Sequence, residues 1–189
     1  MKLTIQIVDN FLAKEDIESI RDFSVNNLIS DRPKYGGGYI SIRLEELPLF
    51  HSLTETVKEK VPVIQDLDYF EGWIFVYDQE CPGVTPHADP GKYNVNIWCT
   101  PDESIEDTTK NGLLIYDVFR PEDWHWREYN RNVDRIRGYL EEQEANPYLV
   151  SYKYNRATIF SSGLFHETDN VSTKPGDSNK RINMTFMYR

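Results

Sequence analysis

Cysteine is nearly absent from this chain of 189 residues: only Cys81 and Cys99 occur. Two thiols are too few for a disulfide framework, and their spacing is not that of a CxxC pair. Both read as reduced, with an inert loop or core position as the ordinary reading of each. Basic charge is also short, with 21 Lys and Arg against 31 Asp and Glu and a net charge of −10. That balance works against a surface that tracks phosphates, so nucleic acid is a disfavoured partner. No apolar run approaches the ~20 residues of a membrane span. The opening Met1-Lys2-Leu3-Thr4-Ile5 lacks the apolar core of a signal peptide, so the expectation is a cytoplasmic protein with no membrane partner. Internal repeats, polar tracts and linkers are missing too, which leaves one domain over 1–189.

What is present suits a folded, strand-rich core. Apolar residues make up 39% and aromatic residues 13%, spread along the chain. Leu3–Val8 reads as a strand, and Ile17, Ile20 and Leu28 recur at helical spacing after it. Gly36-Gly37-Gly38 marks a turn before a short strand at Tyr39–Ile42, and Leu49, Leu53 and Val57 fall on a second helix. From Trp73 onward the runs become short and β-prone: Trp73–Tyr77, Tyr93–Cys99, Leu113–Tyr116, Tyr148–Tyr154, Thr158–Phe160 and Ile182–Tyr188. The expected class is therefore α+β and mainly β: a double-stranded β-helix, or jelly roll, over 71–189 behind a helical support region at 1–70 packed on one sheet. A charge-rich stretch at 119–146 interrupts the strands, with Tyr129, Val133, Ile136 and Leu140 on one face of an amphipathic helix. Within it, Trp124-His125-Trp126 with Arg127 and Arg131 either packs on the core or lines a substrate entrance.

Chemistry is concentrated in Thr85-Pro86-His87-Ala88-Asp89-Pro90 and, far along the chain, His166. On an extended segment residues i and i+2 project to the same side, so His87 and Asp89 can reach one ion while Ala88 points away. Two imidazoles and one carboxylate are the ligand set of a facial non-haem Fe(II) site, which leaves about three coordination positions for reactants. A structural zinc site would more naturally use four ligands with cysteines among them. Fifteen residues after His166, alternation puts Arg181, Asn183 and Thr185 on one face of the last strand. A guanidinium suits bidentate binding of a carboxylate such as the distal one of 2-oxoglutarate, and the Tyr77 hydroxyl is placed to assist it. The plain alternative is an edge-strand arginine facing solvent and a packed tyrosine.

Taken in order, these residues resemble the 2-oxoglutarate- and Fe(II)-dependent oxygenases, whose pattern is HxD, a distal His, then an Arg or Lys on the following strand. The resemblance spans most of the chain. Val8-Asp9-Asn10-Phe11-Leu12 before an acidic helix, and Asn111-Gly112-Leu113-Leu114 between the two halves of the site, are similar to prolyl-4-hydroxylase-like members. Arg181-Ile182-Asn183-Met184-Thr185-Phe186 is similar to a strand of the AlkB-like demethylases, which continue to a second arginine where Met187 stands here.

The resemblance implies Fe(II) held by His87, Asp89 and His166, with Tyr77, Arg181 and Asn183 binding the cosubstrate 2-oxoglutarate and O2 as the second cosubstrate. It further implies a dioxygenase that hydroxylates a small-molecule, amino-acid or peptidyl substrate and releases succinate and carbon dioxide. The carboxylate of Asp89 separates this expectation from the related halogenases. Two other readings stand beside it: a non-catalytic jelly-roll module that binds a metal or a sugar, and an AlkB-like nucleic-acid demethylase.

Overall fold

Six antiparallel strands form the larger sheet of the protein, in the order β1-β8-β5-β11-β3-β2. These are β1 (Ile5–Val8), β2 (Tyr39–Arg43), β3 (Tyr69–Tyr77), β5 (Tyr93–Trp98), β8 (Ala157–Ser161) and β11 (Ile182–Tyr188). A smaller sheet has the order β7-β6-β9, from β6 (Leu113–Phe119), β7 (Pro147–Val150) and β9 (Leu164–Thr168), and the pair β4 (Glu80–Cys81) and β10 (Val171–Ser172) stands apart. The computed structural model describes residues 4–28, 34–107 and 109–189. Leu3, the first residue of the expected opening strand, lies outside them.

Two helices cover the outer face of the larger sheet. Helix α1 (Lys14–Asn26) buries Ile17 and Ile20, and α2 (Phe50–Lys60) buries Leu53 and Val57, as their apolar spacing predicts. Their partners in one cluster include Ile74, Ile97, Ile159 and Met184. Glu15 and Asp16 sit in the first turn of α1, where carboxylates favour the positive end of the helix dipole. The region before residue 70 also contributes β1 and β2 to the sheet, so it supplies strands as well as cover.

Between the sheets lies a second cluster around Trp98, Leu113, Ile115 and Phe160. Strand β11 is buried along its whole length because helices cover one face and the smaller sheet the other. Ile182, Met184 and Phe186 join the helix-side cluster, which turns Asn183 and Thr185 to the opposite face. That face is where the polar residues of the site collect.

The insertion is two helices and not one: α3 (Trp126–Asn130) and α4 (Val133–Glu142). Asn132 separates them by accepting the backbone N–H of Arg135 at 3.2 Å, starting α4 afresh. The break releases the Tyr129 carbonyl from helix pairing, and Ala88 donates its N–H to that oxygen at 2.8 Å. Tyr129, Ile136 and Leu140 then pack with Ala88 and Phe165 in a third cluster. The insertion is thus fastened onto the residues next to His87, Asp89 and His166.

Candidate metal centre

Backbone pairing brings the distant ligands together. His87 and His166 form an isolated antiparallel bridge, with N–H to O distances of 2.9 and 2.8 Å in the two directions. Their rings therefore project from facing positions, with centroids 4.2 Å apart. Two residues further, Asp89 donates its N–H to the Ser162 carbonyl at 2.8 Å, so its side chain returns to the same side as His87.

The three side chains converge. Nε2 of His87 lies 3.8 Å from Asp89 Oδ1, and Nε2 of His166 lies 3.4 Å from Oδ2. One donor atom from each of the three falls within 4.8 Å of the others. Facial ligands about 2.1 Å from an ion stand about 3 Å apart, so small side-chain rotations close the set on a metal.

Protonation and orientation suit that role. Each imidazole places Nδ1 2.9 Å from the carbonyl two residues earlier, Thr85 for His87 and Leu164 for His166. A carbonyl only accepts, so Nδ1 carries the hydrogen and the Nε2 lone pair is free for a metal. Burial, followed by the neighbouring His166 ring, lowers the pKa of His87 to about 4. Burial pushes Asp89 up, but His87, and the hydrogen bond that His166 Nε2 can donate only when its ring is protonated, outweigh it at acid pH and hold the carboxyl at about 2. At neutral pH the site offers a neutral imidazole at His87 and an ionised carboxylate, the forms that ligate.

Asp89 is positioned by residues that no motif identifies. Asn94 donates Nδ2 to Asp89 Oδ2 at 2.7 Å, and Ser162 donates its hydroxyl to Asn94 Oδ1 at 2.6 Å. From the insertion, Asn130 donates Nδ2 to the Ala88 carbonyl at 2.9 Å and to Asp89 Oδ1 at 3.4 Å.

An inner cavity opens from the ligands between the sheets, walled by Tyr77, Leu113, Thr168, Asn183 and Thr185 among others. Asn96 lines it with a buried Oδ1 that has no partner among the described residues. Arg181 touches this wall from within the protein at 1% exposure. Its guanidinium carbon lies 4.6 Å over the Tyr77 ring, with Trp98 and Tyr152 at 6.0 and 5.9 Å. Nη1 donates to Asn183 Oδ1 at 2.9 Å and Nε to the Asn111 carbonyl at 3.0 Å. Among the described residues no carboxylate pairs with it. A buried cation left without an anion is costly, so Arg181 favours an anionic guest in the adjoining cavity.

Local backbone explains the Arg181 contact. Asn111 adopts φ 64°, a conformation asparagine tolerates. A Cβ on the next residue, Gly112, would stand 2.3 Å from the Val150 carbonyl, so glycine alone lets β6 approach β7 there. The edge-strand reading of Arg181 does not apply, since β11 runs between β5 and β3.

An outer cavity of about 280 Å³ shares His87, Asp89, Trp73, Phe75 and Val84 with the inner one and adds Tyr35, Tyr39, Asn130 and Arg131. The insertion residues divide their roles. Trp124 packs on Phe165 and Tyr139, and His125 caps α3. Trp126 and Arg131 reach a recess adjoining the outer cavity. Cys81 is half-buried and stands apart from the ligand group.

Proteins of one enzyme class share this architecture: solved structures of 2-oxoglutarate- and Fe(II)-dependent oxygenases have the same fold. The alpha-ketoglutarate-dependent carbocyclase SnoK from nogalamycin biosynthesis aligns with TM-score 0.67 at 11% identity, over 98% of this chain and 79% of that one. HygX from Streptomyces hygroscopicus, crystallised with nickel and 2-oxoglutarate, aligns at 0.62 and 10% identity, over 98% and 82%. A Pseudomonas putida prolyl-4-hydroxylase aligns at 0.57 and 12% identity, over 100% and 93%. No family model matches the sequence, and no curated protein matches it.

Proposed function

We propose that the protein is a single-domain Fe(II)- and 2-oxoglutarate-dependent dioxygenase of jelly-roll fold that hydroxylates a small-molecule, amino-acid or peptidyl substrate. One observation carries the reading: two imidazoles and a carboxylate converge beside a cavity whose far wall contacts a buried arginine that has no carboxylate partner among the described residues. A simple metal-binding module has no use for that arginine.

In this reading His87, Asp89 and His166 hold the iron, which supplies dioxygen activation coupled to oxidative decarboxylation of the keto acid. Arg181 and Tyr77 hold the distal carboxylate of 2-oxoglutarate, and Asn183 keeps the guanidinium in register. The Thr85 and Leu164 carbonyls fix both imidazole tautomers, while Asn94 and Asn130 orient Asp89. Val84, Leu113, Trp73 and Phe75 give the reaction space apolar walls that limit water.

Anaerobic protein given Fe(II) and 2-oxoglutarate should develop a weak visible charge-transfer band, and His87→Ala should abolish it. A band of full intensity in that variant refutes the ligand assignment. Succinate release across pooled amino acids, peptides and metabolites then identifies the substrate.

A further inference from the structure

Arginines on this acidic protein are commonly neutralised: Arg43, Arg135, Arg137 and Arg156 each pair with a carboxylate. Arg131 is an exception at a telling place. Among the described residues it makes no ion pair, and its guanidinium carbon stands 5.4 Å over the ring of Trp126, itself 42% exposed. It borders both the outer cavity and the adjoining recess. Across the cavity, the phenol of Tyr39 lies close enough to feel its charge. The recess also contains Glu71, but that carboxylate is engaged by Arg43 at 3.3 Å.

The remaining walls are flat and largely apolar. Tyr39 meets Phe75 edge-on at 5.5 Å, Trp73 lies 6.4 Å from Phe75, and Tyr35 stacks on Tyr39 at 4.9 Å. Aromatic faces favour offset or edge contact with another ring. The slot runs to His87 and Asp89 at its inner end, and its 280 Å³ suits a small molecule.

From this juxtaposition we propose that the outer cavity takes a small substrate with a flat, largely apolar body bearing one anionic group. Tyr39, Trp73 and Phe75 hold the body, and Arg131, steadied on Trp126, holds the anion. This deepens the dioxygenase reading and rests on it for the identity of the site. Arg131 is a specificity residue here, separate from Arg181, which serves the keto acid.

Binding can be measured without turnover in protein loaded with zinc and 2-oxoglutarate, through quenching of tryptophan fluorescence. The probes are 3-phenylpropionate, its amide, hexanoate and phenyl phosphate. A charge-assisted contact predicts that 3-phenylpropionate binds roughly tenfold or more tighter than its amide, and tighter than hexanoate. Stronger binding of phenyl phosphate than of 3-phenylpropionate identifies the anion as phosphate; the reverse order identifies it as carboxylate.

Arg131→Gln should bring the acid-to-amide ratio close to one, and Arg131→Lys should keep most of it. Metal stoichiometry and the keto-acid midpoint report whether each variant is folded. The inference is overturned if acid and amide bind alike, if Arg131→Gln leaves the ratio intact, or if no anionic probe binds at millimolar concentration. Loss of metal or keto-acid binding in the unmodified protein would instead sink the dioxygenase reading, so the two failures are distinguishable.

Discussion

Replacement of Arg181 by methionine tests the keto-acid assignment most directly. Arg181 is 1% exposed, its guanidinium is bonded to Asn183 and Asn111, and among the described residues it has no carboxylate partner. In zinc-loaded protein, 2-oxoglutarate at a hundred times its Kd stabilises the native state by about 2.7 kcal/mol. For a domain of this size each kcal/mol moves Tm by roughly 2–4 °C, so the expected rise is about 5–11 °C. Removing one partner of a buried charge pair costs about 2–5 kcal/mol of binding, a loss of at least ~30-fold in affinity. At the same ligand concentration less than ~1 kcal/mol of stabilisation then remains, and the rise in Tm falls below about 4 °C.

The comparison is made within each variant, with and without keto acid, so any change in ligand-free stability cancels. The rise caused by zinc alone should persist in Arg181→Met, because no ligand is lost. Arg181→Lys should fall between the two, since an ammonium keeps the charge but loses the planar fork. A keto-acid rise in Arg181→Met within 2 °C of the parent would refute the assignment of the anchor.

Two further outcomes follow from the geometry. Asn94→Ala removes the donor to Asp89 Oδ2 and should weaken metal binding roughly 10–100-fold by competitive chelation, with secondary structure by circular dichroism unaltered. Asp9, held at about 2 chiefly by its hydrogen bonds from Arg156 and Lys153, ties the turn before α1 to the start of β8. Its folded pKa lies below the ordinary value of 3.8, so its stabilisation is full above about pH 4 and fades as pH falls towards 2. Discounted for solvent screening, it is worth about 1 kcal/mol; Asp9→Asn should cost that much in urea unfolding at pH 7 and only a small fraction of it at pH 2, where the carboxyl is half protonated.

Side-chain periodicity made much of this legible in the sequence. His87 and Asp89 were separable from Ala88 by alternation alone, and the structure puts Ala88 with Phe165 in the insertion's cluster. Both N-terminal helices announced their buried faces through Ile17, Ile20, Leu53 and Val57. Arg181 was ambiguous because periodicity assigns a face but not a place in a sheet; only the order of strands makes β11 central. The single amphipathic helix expected at 119–146 failed for a different reason. Tyr129, Val133, Ile136 and Leu140 share a spacing, yet Asn132 caps a new helix between them. Asn94, Ser162 and Asn130 carry no pattern, since their value lies in distances to Asp89 set by three separate segments.

The broken helix ties two equilibria together. Asn130 holds the segment of His87 and Asp89, and its neighbour Arg131 faces the outer cavity. One short segment therefore carries both a ligand's support and a wall of the cavity. Any occupant that shifts α3 must shift Asp89 with it, and by reciprocity metal occupancy must alter affinity for that occupant by the same factor. Metal affinity measured with and without a cavity ligand becomes a thermodynamic readout of how stiffly that turn is built.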